Sequence, residues 1–232
     1  MTDHPGSATP FHVVLADANV LYSRVLRDYL LYAATAELIT VTWSDEILDE
    51  MARHLVANIP SFTEQSARRL IEKMNAAFPT ALVNATSIDF ARIADVPLPD
   101  EGDRHVVAAA PAAEATHICT NNTSDFPPAL MQTVGLGVIT PDDLLSHLFK
   151  HHEPQVLAVH QTVVERFSGT TETRTIEALR RAGASHISEL LSKSLVQHNS
   201  RETLRTLQGS IDDPTMTEPE EIGSESTRDA IH

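Results

Sequence analysis

The stretch FHVVLADANVLYSRVLRDYLLYAA, residues 11–34, decides the fold. It begins with a mostly apolar run, Phe11 to Ala16, which is typical of a strand. At Asp17 the pattern changes to apolar pairs at about helical spacing. A strand that leads directly into a helix is the opening unit of a parallel α/β sheet. The pattern therefore places Asp17 at the carboxyl end of the first strand.

The same order of strand and helix repeats along the chain. Further strands are predicted over residues 38–43, 81–85, 116–120 and 137–139. Between them, helices are predicted after Ser44, which can cap a helix, over residues 62–78, 103–115 and 129–134, and from Asp142 onward. Pro111 should kink or shorten the helix over residues 103–115. This alternation predicts a doubly wound parallel sheet flanked by helices, with right-handed crossovers.

The pattern divides the chain into four segments. A flexible N-terminus, an α/β domain, an all-helical annex and an acidic, disordered tail are expected over residues 1–10, 11–150, 151–198 and 199–232. The annex is expected to hold three helices without a strand, over residues 154–167, 172–182 and 185–196. The tail has too few apolar residues to offset its ordering entropy.

Composition limits the classes of protein and of site that the chain can form. Its net charge of −15 argues against a nucleic-acid partner, but only in part, because bound divalent cations would offset several carboxylates. The single cysteine, Cys119, excludes an internal disulfide or a Cys-cluster zinc site, and its apolar neighbours indicate burial in a strand. Neither a membrane-spanning run nor a secretion signal is visible, so we expect a cytoplasmic protein.

Acidic residues fall where the predicted strands end. Asp17 ends the first strand, Asp103 opens a helix, Asp125 follows the strand over residues 116–120, and Glu50 lies in the helix after the second strand. The carboxyl ends of parallel strands share one edge, so these acids can converge in one cleft. Their mutual repulsion favours a bound divalent cation, and oxygen ligands favour Mg²⁺ or Mn²⁺.

Each acid also has an ordinary structural explanation. Asp17 can cap a helix, Asp103 can complement a helix dipole, and Asp125 can belong to a turn. Glu50 can be a solvated helix residue, and Glu46 and Asp49 are nearby alternatives to it.

Four motifs in order resemble the PIN-domain nuclease family over about residues 11–148. They are VVLADANVLYS with Asp17 and Asn19, SDEILDEMARHL with Glu50, LPDEGDRHVVAAA with Asp103 and an auxiliary Asp100, and HICTNNTSDFP followed by GVITPDDLL with Asp125. The resemblance implies a PIN-like doubly wound sheet and a carboxylate site that holds Mg²⁺ or Mn²⁺. Pro111 departs from the usual pattern of the third motif.

The resemblance also implies an activity. It implies an endoribonuclease that hydrolyses RNA phosphodiester bonds, often the toxin of a bacterial VapC-type toxin–antitoxin pair, with an antitoxin partner and a homodimer as further implications. Thr120 and Asn121, at the end of a strand, are candidates to hold a ligand or water, and Arg104, beside Asp103, is the candidate phosphate contact.

Other classes of function remain open at this point. A response-regulator receiver would need a phosphorylatable Asp at a central strand end and a Lys after the last strand, and neither is convincingly placed. A non-catalytic PIN-like module that acts through protein partners is the main alternative. The annex could bind RNA through Arg180 and Arg181, although a partner surface or a packed cap is favoured, and no function is assigned to the histidines.

Overall fold

The computed structural model describes residues 13–166 and 171–211. Within them, four short strands form one parallel sheet: β1 (Val13–Ala16), β2 (Thr40–Thr42), β3 (His117–Cys119) and β4 (Gly137–Ile139). The strand order is β2-β1-β3-β4, so β1 and β3 are central. Val14, Leu15, Ile118 and Cys119 are fully buried, as expected for central strands covered on both faces. The parallel α/β sheet and the buried Cys119 predicted from the sequence are both confirmed.

The helices of the described residues follow the strands in the predicted alternation. They are α1 (Ala18–Tyr22), α2 (Arg24–Thr35), α3 (Asp45–Asn58), α4 (Glu64–Ala77), α5 (Ser87–Arg92), α6 (Arg104–Ala112), α7 (Pro128–Thr133), α8 (Pro141–Arg166), α9 (Glu172–Arg181) and α10 (Ser185–Ile211). A short 3-10 turn, Glu101–Asp103, precedes α6. None of the helices in this part of the chain is both long and apolar enough to cross a membrane.

The strand order creates a switch point between β1 and β3. From β1 the chain crosses to β2 on one side, and it later returns to place β3 on the other side. The register aligns Ala16 with Cys119, and the backbone N–H of Asp17 donates to the carbonyl of Cys119 at 3.0 Å. Ligands of such sheets bind beyond the carboxyl ends of the strands at this point. Asp17 and Thr120 are the residues that follow β1 and β3 there.

The predicted first helix is two helices, because the chain breaks helical geometry at Ser23. The backbone of Ser23 is extended, with φ −69° and ψ 111°. The break exposes helix-end carbonyls, and the buried guanidinium of Arg27 donates from Nη1 to the carbonyl of Leu21 at 2.5 Å. A periodicity that continues through residues 18–31 does not reveal such a break.

The region between α4 and α6 differs from the prediction. The expected strand over residues 81–85 is only a single parallel bridge between Trp43 and Leu82. Asn84 bonds instead to Asp45 at the start of α3. The residues between this bridge and α6, for which no helix was predicted, contain α5, whose start is capped reciprocally by Thr86 and Asp89.

Two other local predictions, the cap of α3 and the shortening of α6 near Pro111, are confirmed. Ser44 caps α3, accepting from the N–H of Ile47 at 3.3 Å. α6 ends at Ala112, one residue after Pro111, and is therefore shorter than the pattern over residues 103–115. Because proline lacks an N–H, it is tolerated poorly in a helix interior, which agrees with its place in the last turn.

Two of the helices after β4, α8 and α9, adjoin the α/β domain directly. The boundary predicted at about residue 150 falls inside α8, close to His152, where φ −139° and ψ 44° depart from helical values. Pro154 follows this kink, as its missing N–H and ring sterics explain. Both α8 and α9 pack on α2. Part of the predicted annex therefore covers the helix that follows the first motif.

The last described helix extends into the segment predicted to be the tail. The chain divides into two compact units after Ser192, and α10 continues to Ile211, past residue 199, where a disordered tail was expected to begin. The stretch NSRETLRTLQ, residues 199–208, contains mostly adequate helix formers, and extending an existing helix avoids the cost of nucleation. The remainder of the predicted tail and the predicted flexible N-terminus lie outside the described residues. All site residues lie in the first unit.

A buried polar pair joins α2 to α8. The Tyr29 hydroxyl lies 2.5 Å from Nδ1 of His160, and both residues are at most 1% exposed. Burial lowers the pKa of His160 to about 4, so the imidazole is neutral near pH 7 and its Nδ1 can accept from the tyrosine.

We predict that Tyr29→Phe lowers the free energy of unfolding by about 1–3 kcal/mol, because it leaves a buried imidazole acceptor without its donor. Urea denaturation at pH 7, followed by circular dichroism, measures this change. Tyr32→Phe on the same helix is the matched control, because Tyr32 is only partly buried. Equal stabilities of the Tyr29→Phe variant and the wild type would contradict the prediction.

Candidate active site

Asp17 directly follows β1 and is almost fully buried, with 4% of the residue exposed. Its Oδ1 accepts from the N–H of Ala18 at 2.7 Å, and its Oδ2 accepts from Thr120 Oγ1 at 2.8 Å and Asn19 Nδ2 at 2.6 Å. Burial raises the pKa of Asp17, while the bonds from Thr120 and Ala18 oppose that rise. Among the described residues, Oδ2 receives two bonds and Oδ1 one, which leaves Oδ1 a lone pair for a cation.

Asn19 and Thr120 fix the position of the Asp17 carboxylate. Asn19 Nδ2 also donates to Thr120 Oγ1 at 2.8 Å, and Asn19 Oδ1 accepts from the N–H of Asn121 at 3.1 Å. Thr120 is fully buried and accepts from the N–H of Asn122 at 3.0 Å. The hydroxyl of Thr120, a candidate ligand from the sequence, is thus directed at Asp17 and holds the Asp17 carboxylate in position. Asn121, in contrast, lines a cavity.

Glu50 reaches the same region from α3 and lies between two histidines. Its Oε1 is 3.7 Å from Nε2 of His54, one turn later on α3, and its Oε2 is 3.5 Å from Nε2 of His105. The contact with His105 is the largest cause that lowers the pKa of Glu50, and the same contact raises the pKa of His105. Nδ1 of His105 is 2.7 Å from the carbonyl of Gly102, which orients the ring. Two helices therefore hold Glu50 as a charged carboxylate.

Asp103 ends the 3-10 turn, and other carboxylates surround it. Its pKa rises to about 6, chiefly because of burial and then because of the negative charges of Asp17, Asp125, Asp100 and Glu50. These four carboxylates therefore lie near enough to influence Asp103, although burial is the larger cause of its raised pKa.

Asp125 and Asp100 lie at the periphery of the cluster. Asp125 accepts a hydrogen bond from Asn122 Nδ2 and lies 3.4 Å from Ser124 Oγ, within its own loop. Asp100 caps the 3-10 turn, accepting from the N–H of Gly102 at 2.8 Å. The side chain of Asp100 lines a cavity together with Asp103, whereas Asp125 contributes to neither cavity wall.

Arg104 is turned away from the cluster. Its Nε and Nη2 each donate to the carboxylate of Glu101 at 2.6 Å, and its guanidinium also donates to the carbonyls of Ile93 and Val96 at 2.6 and 3.0 Å. It lines neither cavity. This geometry does not support the predicted phosphate contact, because the donors of Arg104 anchor the loop that precedes α6.

Two adjoining cavities open around the acids. The first has a volume of about 390 Å³ and is lined by Asp17, Asn19, Tyr22, Glu50, His54, Asp103, Asn121 and Asn122. The second has a volume of about 700 Å³ and is lined by Glu46, Asp49, Glu50, Arg53, His54, Asp100, Gly102, Asp103 and His105. Glu50, His54 and Asp103 belong to both walls. We call the two cavities together the acidic cleft.

Sequence reasoning missed three aromatic side chains of the cleft. His54 and His105 contact Glu50, and the rings of Tyr22 and His54 meet edge to face with centroids 6.4 Å apart. The spacing of Glu50 and His54 by four residues on one helix face was a usable signal. The sequence pattern did not predict the contact of His105 with Glu50, because this contact depends on how α6 packs against α3.

The donor set suits a divalent cation by its chemistry. Mg²⁺ and Mn²⁺ prefer oxygen ligands, which Asp17, Glu50 and Asp103 supply. Burial is the largest cause of the raised pKa of Asp103, and nearby negative charges, which a cation would compensate, are the next. Among the residues that the structure describes, however, no group of three or more His, Cys, Asp or Glu side chains is gathered closely enough to hold a metal ion. Glu50 lies against His105 instead, so a shared site requires movement of side chains.

A protein-family model described as PIN domain matches residues 13–124. The match runs from β1 to the loop after β3, so it includes Asp17, Glu50 and Asp103 and ends one residue before Asp125. It supports a PIN-domain family for this segment, and PIN domains are generally nucleases that typically use divalent metals. No curated protein and no solved structure gives a significant match to the chain.

We predict that Asp103→Asn raises the free energy of unfolding at pH 8 by on the order of 1 kcal/mol. An aspartate whose pKa is 3.8 when unfolded and about 6 when folded stabilises the fold below pH 3.8 and loses that contribution as the pH rises through 6. Asparagine does not ionise and avoids this loss, so the difference in the free energy of unfolding between the variant and the wild type disappears near pH 3.5. Urea denaturation of the metal-free protein at both pH values tests this, and a variant less stable than wild type at pH 8 would refute it.

Proposed function

We propose that the chain is a metal-dependent endoribonuclease that hydrolyses phosphodiester bonds of RNA, with Asp17, Glu50 and Asp103 as its central carboxylates. The observation that supports this most is that all three line one cavity at the switch point of the sheet, where burial and the charges of neighbouring acids raise the pKa of Asp103 to about 6. Carboxylates at such a point are suited to bind cations that act on a phosphate.

A bound Mg²⁺ or Mn²⁺ would polarise the scissile phosphate and make a water more acidic. Asp17 and Asp103 would hold the cation, and in Asp17 the available lone pair is on Oδ1. Asn19 and Thr120 keep Asp17 in place, so its carboxylate needs little reorganisation when the substrate binds. Glu50 and Asp125 are assigned to a second cation or to the orientation of water.

Substrate contacts are assigned to the edge of the first cavity. Asn121 follows Thr120 and lines the first cavity together with Asp17 and Asp103. An amide can donate to a phosphate oxygen or a ribose hydroxyl. Arg104 is not assigned to substrate, because Glu101 and two backbone carbonyls already engage its guanidinium.

A more specific role as a toxin rests on the resemblance to VapC-type ribonucleases. By this resemblance the protein acts in the cytoplasm as the toxin of a bacterial type II toxin–antitoxin pair, is inhibited by a cognate antitoxin and forms a homodimer. The competing proposal, a non-catalytic PIN-like module that binds regulatory protein partners, has one observation in its favour: the carboxylates are not gathered around one point in the described residues.

We predict that the purified full chain cleaves a mixed RNA pool with Mg²⁺ or Mn²⁺ and is inactive in EDTA. Asp17→Asn and Asp103→Asn each remove one cation ligand with little change of shape, so each should lower the cleavage rate at least about 100-fold. Gel analysis of end-labelled RNA measures the rate.

Asp95→Asn is the matched control, because Asp95 is exposed and lines neither cavity of the cleft. It should cleave at the wild-type rate. Cleavage that persists in EDTA, or equal rates in all four proteins, would contradict the proposed mechanism. Absence of cleavage by folded wild-type protein on every RNA would favour the non-catalytic module.

A further inference from the structure

The acidic cleft has few positively charged side chains that could bind a polyanion. Its walls contain six carboxylates, from Asp17, Glu46, Asp49, Glu50, Asp100 and Asp103, and among its lining residues Arg53 is the one Arg or Lys. One or two divalent cations would compensate only part of this charge. A nucleic acid bound across the cleft therefore needs cations outside its walls, because affinity for phosphates comes largely from Lys and Arg.

The turn between α9 and α10 lies beside the wall of the cleft. A methyl group added at Gly183 would lie 3.8 Å from Oδ1 of Asn121, which lines the first cavity next to Asp17. Gly183 has φ +89°, a conformation that L side chains rarely adopt, and it sets the sharp exit from α9. Gly183 thus lies beside the Asn121 edge of the cleft, and Arg180 and Arg181 precede it by three and two residues.

Two arginines occupy the last turn of α9. Arg180 and Arg181 are both exposed, and neither forms an ion pair with a described residue. The next helix start offers no competing anion site, because the carboxylate of Asp142 already accepts from the N–H groups of His186 and Ile187 at 2.9 and 2.8 Å. The positive charge near this edge therefore comes from the side chains of Arg180 and Arg181 and not from the start of α10.

We propose that Arg180 and Arg181 bind phosphates of the substrate strand at the point where the strand passes Asn121 and leaves the acidic cleft. This inference rests on the proposed nuclease function. It assigns the turn from α9 to α10 to substrate binding. The arginines hold the strand and are positioning residues, since the chemistry belongs to the carboxylates.

The test compares two double variants that each remove two positive charges. Arg180→Gln/Arg181→Gln removes the proposed contacts, and Arg68→Gln/Arg69→Gln is the matched control, an exposed adjacent pair on α4, which contributes no residue to the cleft. Each variant is made in the full chain, once alone for cleavage kinetics and once with Asp103→Asn for binding. Circular dichroism verifies the fold of all proteins.

Binding is measured by fluorescence anisotropy of a labelled single-stranded RNA with Mg²⁺ over a range of salt. Neutralising one phosphate of a single strand contributes about −0.7 to the slope of log affinity against log salt, so loss of two contacts should reduce the slope by about 1.4. In cleavage assays KM should rise on the order of tenfold with kcat within about twofold of wild type. The control variant should match wild type in the slope and in KM.

The outcomes separate this inference from the proposed function. If wild type cleaves RNA but the two double variants have the same salt slope and KM, Arg180 and Arg181 do not bind the strand, while the nuclease proposal stands. A fall in stability of the Arg180→Gln/Arg181→Gln variant without a change in KM would show that the arginines only stabilise the end of α9. If wild type neither binds nor cleaves RNA, both proposals fail.

Discussion

The buried carboxylate of Asp17 is the constraint on which the arrangement of the site depends. A charge in that position is costly unless hydrogen bonds compensate it, and Ala18, Asn19 and Thr120 supply them. Thr120 comes from the end of β3, about a hundred residues away in sequence, so the compensation exists only when β1 and β3 pair. The interaction that positions the carboxylate therefore also joins the two central strands at their carboxyl ends.

The second constraint is repulsion among the acids around Asp17. Burial and, after it, the negative charges of these acids raise the pKa of Asp103 to about 6, whereas the contact with His105 lowers the pKa of Glu50. Two carboxylates in one cleft whose pKa values shift in opposite directions are a pattern found often at functional sites.

The sequence predicted what local patterns determine and missed what tertiary contacts determine. The apolar run into β1 and the acids at strand ends were visible, because parallel strands end at one edge. The break at Ser23 was not visible, because Arg27 stabilises it from the next turn. His105 and Arg104 were misjudged for one reason: their partners, Glu50 and the carbonyls of the loop before α6, depend on how α3, α5 and α6 pack.

The central claim, that carboxylates from separate elements form one divalent-cation site, is tested most directly by calorimetric titration of the full chain with Mn²⁺ at pH 7.5. Wild type and Asp95→Asn should bind with the same affinity, and Asp17→Asn should bind at least about tenfold more weakly, because it removes a charged ligand that Thr120 and Asn19 hold in place. Equal binding by all three proteins, or no binding by folded wild type, would contradict the account.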